Sequence, residues 1–418
     1  MDRINKKPNW QKLKFSDVID INPKVSLQKS EEYYFLDMKS ITPGKRTPEE
    51  YQRKAYTSGG SKFCNNSTLM ARITPCLENG KIAFVQNLDE KCGFGSTEFI
   101  VFKGKNNISD DKFIYYLVSS DEVRSFSINN MYGSSGRQRV DHKAYDELFI
   151  DLPPISEQHR IASILSAFDD KIELNNKINK TLEQMAQAIF KEWFVEFKFP
   201  GNEKVNMVGS KSGNISEGWK NLKLREYVKY VRGRSYTSRQ IAGNNGFAFI
   251  NLKSIQEGGG YRYDGIKNYD GPVNENQYLN TDDIIVGITE TTQKRAIIGH
   301  VARIPNIDLG KTTFSCDIVK LESKDLNNLY LYSLLRYGNF SKITKEKANG
   351  TNVLHLNPED ILEYEFIKPT NDIIQNFVSK IDTVYKKMDQ IYLENQTLSS
   401  LRDTLLPKLM SGEVKINV

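Results

Sequence analysis

The feature that most constrains this sequence is an apolar stripe of helical spacing that occurs twice, 216 residues apart. The first copy begins in ISEQHRIASILSAFDDKIELNN, residues 155–176, and the second in IIQNFVSKIDTVYKKMDQIYLEN, residues 373–395. In both copies the seam positions alternate at intervals of four and three residues, which is the a/d pattern of a coiled coil. The sequence therefore predicts two long helices that bury equivalent faces.

The two copies align along a predicted seam, and one aligned pair consists of two asparagines. The aligned pairs are Ile161 with Phe377, Leu165 with Ile381, Phe168 with Val384, Ile172 with Met388, Asn175 with Ile391, Asn179 with Asn395, Leu182 with Leu398, Ala186 with Arg402, and Ile189 with Leu405. Because Arg402 is polar, Met185 and Leu401 are predicted to take over the apolar role near that end. A polar seam residue lowers stability but fixes register. We therefore predict an intramolecular helix pair; a homodimeric coil and two unrelated amphipathic helices are the alternatives.

Proline precedes each predicted helix, with Ser156 and Asn371 as N-cap candidates. The first helix is predicted to run from 156 to 194, about 57 Å at 1.5 Å per residue. The second is predicted over roughly 371–406, with Pro407 and Gly412 as its end signals.

Each predicted helix follows a mixed segment, and the two segments are faintly related, as in LMARIT (69–74) and IIVGIT (284–289). Alternating apolar runs at 82–84 and 99–101 favour strands, and helical pieces are predicted near 111–127 and 325–342. The predicted class is α+β, with two mixed α/β domains that form an internal repeat related by a pseudo-twofold axis. The predicted parts are a domain at 1–151, a helix at 152–199, a linker at 200–218, a domain at 219–369, a helix at 370–408 and a tail at 409–418.

Composition excludes few classes of protein. The net charge of +6 is compatible with a polyanionic partner but does not establish one. No apolar run approaches a membrane span and the N-terminus lacks a signal-peptide core, so we expect a cytoplasmic protein. The scattered cysteines at 64, 76, 92 and 316 lack zinc-site spacing and are expected to be buried thiols.

No catalytic motif is convincing in this sequence. There is neither a P-loop nor a GxGxxG motif behind a strand. DLPPI (151–155) lacks the aromatic residue of an amino-methyltransferase motif, and PEDILEYEFIK (358–368) has the wrong carboxylate–lysine spacing for a nuclease. We therefore predict a chain with no catalytic residues, no metal and no cofactor of its own.

Three segments carry a resemblance to a known family: LPPISEQHRIASILSAFDDKIELNNKINKTLEQMAQAIFKEWFVEF (152–197), NQTLSSLRDTLLPKLMSGEVKI (395–416) and EGWKNLKL (217–224). In these segments, and over its whole length, the chain resembles the specificity subunits of type I DNA restriction-modification enzymes. The second helix departs from the family at its start, where KPTNDIIQNF lacks the PPxxEQ form.

This resemblance implies a role in bacterial defence. Two target-recognition domains would each read one half of a bipartite double-stranded DNA site, while antiparallel helices set the spacer. It also implies two methyltransferase subunits and motor-nuclease subunits as partners. S-adenosylmethionine, ATP and magnesium are expected on those partners, and no membrane is involved.

Candidate DNA contacts are polar and basic residues in glycine-containing loops, because Arg, Lys, Asn and Gln read bases or hold phosphates. In the first domain they are Lys45, Arg46, Arg72, Ser134, Ser135, Arg137, Gln138 and Arg139. In the second they are Tyr261, Arg262, Tyr263, Thr291, Gln293, Lys294, Arg295, Lys347, Asn349, Thr351 and Asn352. The alternatives are a scaffold that pairs protein partners without DNA, and a stand-alone methyltransferase or nuclease with unrecognised motifs.

Overall fold

The computed structural model describes residues 9–89, 92–211, 213–241, 243 and 246–414. They form two units, each a mixture of helix and sheet. Unit 1 comprises the described residues within 1–174 and 395–418, and unit 2 those within 175–394. Residues 415–418 of the predicted tail lie outside the described residues. None of the helices in the described ranges is both long and apolar enough to cross a membrane.

Two helices of 40 residues are far longer than the others. The α-helices are α1 (Phe15–Val18), α2 (Asp111–Ser119), α3 (Asp121–Asn129), α4 (Ile155–Phe194), α5 (Ser238–Ile241), α6 (Asn328–Tyr337), α7 (Phe340–Thr344), α8 (Pro358–Leu362) and α9 (Asn371–Met410). The helical pieces predicted near 111–127 and 325–342 are confirmed as α2, α3, α6 and α7.

The strands are short and lie mainly in the mixed segments. Those before α4 are β1 (Gln11–Lys14), β2 (Ile19–Ile21), β3 (Glu32–Leu36), β4 (Gln52–Ala55), β5 (Ser61–Cys64), β6 (Thr68–Ala71), β7 (Ile82–Phe84), β8 (Cys92–Gly95), β9 (Phe99–Gly104), β10 (Met131–Tyr132), β11 (Arg139–Val140) and β12 (Phe149–Leu152). Those after α4 are β13 (Met207–Ser210), β14 (Gly213–Ser216), β15 (Lys220–Lys223), β16 (Val228–Arg232), β17 (Phe247–Ile250), β18 (Lys267–Tyr269), β19 (Ile284–Gly287), β20 (Thr289–Glu290), β21 (Val301–Arg303), β22 (Thr312–Phe314), β23 (Ile318–Ser323), β24 (Leu354–His355) and β25 (Glu365–Lys368).

Unit 1 is built around an antiparallel sheet with the strand order β2-β9-β6-β7. Successive side chains of a strand point to opposite faces, and here both faces are covered. On β9, Ile100 and Phe102 join the apolar cluster that includes α2, whereas Phe99 and Val101 join a second cluster with Leu36 of β3. Burial on both faces explains why this strand is a continuous apolar run.

Unit 2 contains a sheet with the order β16-β23-β19-β21. Its strands follow the same sequence order as those of the unit 1 sheet, so that β6 corresponds to β19 and β7 to β21. On β19, Ile284 and Val286 belong to one apolar cluster and Ile285 to another. Each unit also contains a second sheet with one parallel pair, which is β3 with β8 in the four-stranded sheet β4-β3-β8-β5 and β17 with β22 in the three-stranded sheet β18-β17-β22.

The expectation that the cysteines are unpaired thiols is wrong for two of them. Cys64 and Cys92 are directly opposite on β5 and β8 and form a disulfide. Cys76 and Cys316 are free, and Cys316 is exposed rather than buried. The pairing depends on the register of two strands that are distant in sequence, and cysteine spacing carries no information on that register.

The segment 200–218, predicted to be a linker, is largely structured. Strands β13 and β14 pair as an antiparallel hairpin. Phe199, Ile215 and Trp219 are buried in the unit 2 core, where Phe199 stacks on Trp219 with ring centroids 5.3 Å apart. Burial of Ile215, and of Phe199 and Trp219 on either side of the segment, holds the segment against the rest of unit 2.

Both long helices differ from prediction at one end. Helix α4 begins one residue earlier than predicted, so Ser156 lies within it. Helix α9 begins at Asn371 but continues past Pro407 to Met410. Proline costs one helical hydrogen bond, yet a single further turn survives here because Leu409 is buried and Met410 packs against the unit 1 core. The chain then leaves the helix at Gly412, where φ is +70°.

Within unit 2, the contacts between α4 and α9 show that the two helices run in opposite directions. Asn175 Nδ2 donates to Glu394 Oε2 at 2.9 Å, near the middle of both helices. Towards the end of α4 and the start of α9, the rings of Phe190 and Phe377 lie 6.3 Å apart. As residue number rises on α4 it falls on α9, so this part of the pair is antiparallel.

Every residue of the predicted seam is buried or half-buried. On α4 the buried members are Ile161, Leu165, Asn175 and Ala186, and the half-buried members are Phe168, Ile172, Asn179, Leu182 and Ile189. On α9 the buried members are Phe377, Ile381 and Ile391, and the half-buried members are Val384, Met388, Asn395, Leu398, Arg402 and Leu405. The intervals of four and three therefore located the inward faces of both helices.

The expected sideways shift of the seam is wrong, because Met185 and Leu401 are both 48% exposed while Ala186 is fully buried. Arg402 stays in the seam because its charge is paired: Nη1 lies 2.6 Å from Asp169 Oδ1. The hydroxyl of Tyr116 donates to the other carboxylate oxygen of Asp169, also at 2.6 Å. A polar seam residue is thus accommodated by a buried partner on the other long helix.

We predict that replacing Arg402 by leucine destabilises unit 1. Removing one partner leaves the Asp169 carboxylate, whose side chain is 3% exposed, as a buried charge without its cation. Loss of one member of such a pair costs about 3 kcal/mol in free energy of unfolding. Urea unfolding of Arg402→Leu and of the exposed control Lys408→Leu measures this. Equal stability of the two variants would contradict the assignment.

Candidate nucleic-acid interface

In unit 1, two sequence segments that were predicted separately as DNA contacts form one surface. The N–H of Thr74 donates to the carbonyl of Gln138 at 3.0 Å, and the N–H of Gln138 donates to Thr74 Oγ1 at 3.1 Å. The N–H of Val140 donates to the carbonyl of Arg72 at 3.0 Å. We call residues 72–75 and 132–140 loop surface 1. It lies at the end of β6 and carries the hairpin β10–β11.

Loop surface 1 contains three arginines: Arg72 is half-buried, and Arg137 and Arg139 lie in different environments. Arg139 donates from Nε and Nη2 to the carboxylate of Glu98, with distances of 2.7–3.0 Å. Arg137 is exposed, and no partner of its side chain occurs among the described residues. Arg137 can therefore contact an outside ligand directly, whereas Arg139 mainly fixes the loop. Sequence reasoning missed Glu98, which lies 41 positions from Arg139.

The tip of loop surface 1 is shaped by glycine. Gly133 has a φ of +122° and Gly136 a φ of +80°, both in the region that favours glycine. Between them Ser134 and Ser135 are exposed. Exposed hydroxyls and backbone N–H groups at such a tip suit phosphate oxygens.

In unit 2, the predicted segments 289–295 and 345–355 also meet. Strand β20 pairs with β24, and Gln293 Nε2 donates to the carbonyl of Thr351 at 2.8 Å. Arg295 Nη1 forms an ion pair with Glu346 Oε2. We call residues 289–298 and 345–355 loop surface 2. It continues from β19, the counterpart of β6.

Glu290 organises loop surface 2 and was not identified from the sequence. The residue is 5% exposed, and its carboxylate accepts from the N–H groups of Ala296, Ile297 and Ile298 at 2.9–3.0 Å. Thr292 Oγ1 donates to it at 2.7 Å. Burial alone would raise the pKa of Glu290, but the hydrogen bonds from Ile297 and Ile298 outweigh burial and lower it. The only sequence signal is its place at the end of an apolar strand.

Several predicted contact residues on loop surface 2 are exposed. These are Thr291, Gln293, Lys294, Asn349, Thr351 and Asn352. Lys347 is half-buried, and its Nζ donates to the carbonyl of Asp360 at 3.3 Å. Gly350 has a φ of +142°, and a Cβ there would lie 1.9 Å from the carbonyl oxygen of Val353, so only glycine fits this turn.

Other predicted contacts lie away from the loop surfaces. Arg46 is 4% exposed and pairs with Asp170 and Glu173 of α4, so its proposed DNA contact is wrong. Lys45 is exposed but paired with Glu49.

The YRY segment is corrected in the same way. Tyr261 is 8% exposed, and Tyr263 stacks on Tyr392 of α9 with ring centroids 3.3 Å apart. Both rings serve packing within unit 2, and Arg262, which is exposed, lies between them. An aromatic residue in a polar loop is ambiguous in sequence because burial and base stacking favour the same side chain.

Comparison with known proteins identifies related chains. A family model described as the type I restriction modification DNA specificity domain matches residues 7–184 and 216–401. The chain is 26% identical over 431 residues to the MjaIX specificity subunit of Methanocaldococcus jannaschii, covering 98% of this chain and 94% of that protein. It is 26% identical over 395 residues to the HindI specificity subunit of Haemophilus influenzae, with coverage of 80% and 84%.

A solved structure shares the fold. The S subunit of a type I restriction-modification system from M. genitalium aligns with a TM-score of 0.54 and 16% identity, over 98% of each chain. At this identity the likeness concerns the fold alone.

We predict that Glu290→Ala disorganises loop surface 2 without unfolding unit 2. Three N–H groups, of which that of Ile298 is buried and the other two are half-buried, lose their acceptor, which costs about 2–4 kcal/mol locally. Hydrogen exchange of the amides of 296–298 should accelerate strongly. The control is Glu346→Ala, because Glu346 is exposed and accepts from no backbone N–H in the described contacts. Unchanged exchange in Glu290→Ala would contradict the organising role.

Proposed function

The chain belongs to the type I restriction-modification DNA specificity family, and we propose that it reads a two-part DNA target through loop surfaces 1 and 2. Its role as a specificity subunit follows from the family, whose model covers most of both mixed segments. Each unit would read one half of the target. As such a subunit acts on DNA inside the cell, we place it in the cytoplasm.

The observation that carries this proposal is that the two loop surfaces follow corresponding strands of the two units. Both begin at the end of a corresponding sheet strand, β6 in LMARIT and β19 in IIVGIT. The side chains they present differ: Arg137 and Gln138 on the first, Gln293 and Lys294 on the second. A common frame with different contact residues suits a target whose halves are different sequences, whereas a symmetric homodimer would require a palindrome.

We further propose that α4 and α9 form an antiparallel coiled coil that sets the spacer between the half-sites. The buried seam residues and the antiparallel contacts within unit 2 support this. Each helix of 40 residues is about 60 Å long, comparable with one to two turns of B-DNA at about 34 Å per turn. The matched seam positions and matched strand orders support an internal repeat with pseudo-twofold symmetry.

The partners we propose are two methyltransferase subunits and motor-nuclease subunits, which would supply the catalytic residues, S-adenosylmethionine, ATP and magnesium. Met185 and Leu401 are candidate docking residues for the methyltransferase subunits. They occupy equivalent positions of the two helices, 216 residues apart, and both are large apolar side chains 48% exposed. Exposed apolar side chains at equivalent positions suit two copies of one partner.

The experiment that tests the proposal is a methylation map of DNA from cells that express this chain with its methyltransferase subunit. We expect a split motif with two defined halves and a fixed spacer. A continuous motif, or no motif beside an active methyltransferase, would overturn the proposal.

We predict that Arg137→Ala relaxes the half-site read by unit 1 and leaves the other half unchanged. Loss of a bidentate base contact costs about 1–3 kcal/mol at one base pair. The same methylation map measures the effect, with Arg160→Ala on α4 as the control. Uniform weakening at all targets would make Arg137 a phosphate contact, and a change in the other half would contradict the assignment of units to halves.

We predict that Met185→Glu and Leu401→Glu each reduce the methyltransferase subunits bound per chain from two to one. A charge at an apolar contact disfavours docking, while the exposed position spares the fold. Mass measurement of the assembled complex gives the stoichiometry. Leu174→Glu is the control, since Leu174 is 51% exposed but Gln390 occupies its equivalent position. Full assembly in both variants would exclude these residues from docking.

A further inference from the structure

Two arginines, Arg46 and Arg303, are buried among the described residues, at 4% and 7% exposure. Each binds a carboxylate on a long helix from within its own unit. Arg46 Nε and Nη2 both lie 2.9 Å from oxygens of Glu173 on α4. Arg303 Nη2 lies 2.6 Å from Asp389 Oδ1 on α9. A mixed domain is thus joined to a helix by a charged pair in each unit.

The two carboxylates occupy the same place in the repeat. Glu173 and Asp389 are 216 residues apart, which is the offset of the seam pairs. Neither belongs to the predicted seam. The equivalent positions of the two carboxylates are therefore an observation separate from the apolar pattern that defined the repeat.

The two arginines come from different places in the sequence but are delivered to corresponding places in the fold. Arg303 is the last residue of β21. Arg46 lies in the loop between β3 and β4, and its carbonyl accepts from the N–H of Phe84, the last residue of β7, at 2.7 Å. Strands β7 and β21 hold the same position in their respective sheets, so each arginine lies at the end of the corresponding edge strand of its own unit.

The segment that follows each edge strand contributes a further hydrogen-bond donor to the helix carboxylate. Gln86 Nε2 lies 3.5 Å from Glu173 Oε2, and the N–H of Asn306 donates to Asp389 Oδ2 at 2.9 Å. Each helix carboxylate thus accepts from an arginine and from a residue just beyond the edge strand. We call Arg46–Glu173 and Arg303–Asp389 the pins.

A buried ion pair is a poor source of stability, because desolvation offsets most of the attraction, but it constrains geometry. A guanidinium donates along fixed directions in one plane, so it restricts rotation as well as distance. Apolar packing alone tolerates small sliding movements between a sheet and a helix. The pins therefore suit a role in which the angle of the domain on the helix matters.

We propose that Arg46, Glu173, Arg303 and Asp389 are positioning residues that fix the angle between each recognition domain and its helix, and thereby the single DNA spacer the complex accepts. This inference rests on the proposed function, since it concerns the spacer between two half-sites. The pins touch no base; they hold the loop surfaces in place.

The test uses the complex of the full chain with its methyltransferase subunits and a set of DNA duplexes. The duplexes carry both half-sites with the native spacer, or with spacers one or two base pairs shorter or longer. The variants are Glu173→Gln and Asp389→Asn, which keep the shape and remove the charge. The matched control is Glu192→Gln, which makes the same carboxylate-to-carboxamide change at an exposed position of α4.

We expect each pin variant to raise methylation at the neighbouring spacers about tenfold relative to the native spacer, the ratio equivalent to one charge-assisted hydrogen bond. The half-site sequences should stay unchanged. A purely structural role would instead lower methylation equally at every spacer, and that result, or unchanged spacer selectivity, would overturn the proposal.

Two further variants keep the test decisive if Glu173→Gln or Asp389→Asn fails to assemble. Arg46→Lys and Arg303→Lys keep the charge but remove the planar fork, and the same broadening is expected from them. If these lysine variants keep a spacer selectivity as strict as that of the unmodified complex, the proposed role of the pins is wrong. Failure of the proposed function is distinguishable, because the unmodified chain would itself show no split target.

Discussion

Burial of one apolar stripe along each long helix is the interaction on which both units depend. The core of unit 1 includes Leu165 of α4 and Leu409 of α9, and the core of unit 2 includes Phe190 of α4 and Phe377 of α9. Helices are stabilised mainly by such packing rather than by intrinsic propensity. Neither mixed domain has a complete core without them, so the domains and the helices must fold together within each unit.

Local periodicity explains what the sequence predicted well. The intervals of four and three predicted α4 and α9 to within a few residues. Apolar residues two positions apart, Ile82 with Phe84 and Phe99 with Val101, predicted strands β7 and β9, although the residues between them are apolar as well. Contacts between distant segments were beyond its reach. The Cys64–Cys92 bridge and the packing of Ile215 depend on tertiary register. The last turn of α9, beyond Pro407, depends on tertiary burial, which outweighs a local helix-breaking signal.

The candidate site shows the same division. Glycine and polar residues located loop surfaces 1 and 2 because those residues serve turns and recognition alike. Sequence could not separate Arg137 from Arg139, since only the latter meets Glu98, which is distant in the chain. Nor could it show that Arg46 faces a helix, because a buried arginine and a DNA-binding arginine look identical without their partners.

The pins suggest how recognition can diverge on a constant frame. Glu173 and Asp389 occupy equivalent positions in the sequence, whereas Arg46 and Arg303 do not. Both arginines nevertheless lie at the end of the corresponding edge strand of their units. The internal repeat that we propose accounts for the equivalent carboxylates but not for arginines that come from different segments. Two different sequence positions thus supply the same contact to the long helices, as expected if the pins set the domain angle. The loop surfaces lie on other segments, so their side chains are free to change target while the attachment to the helix stays fixed.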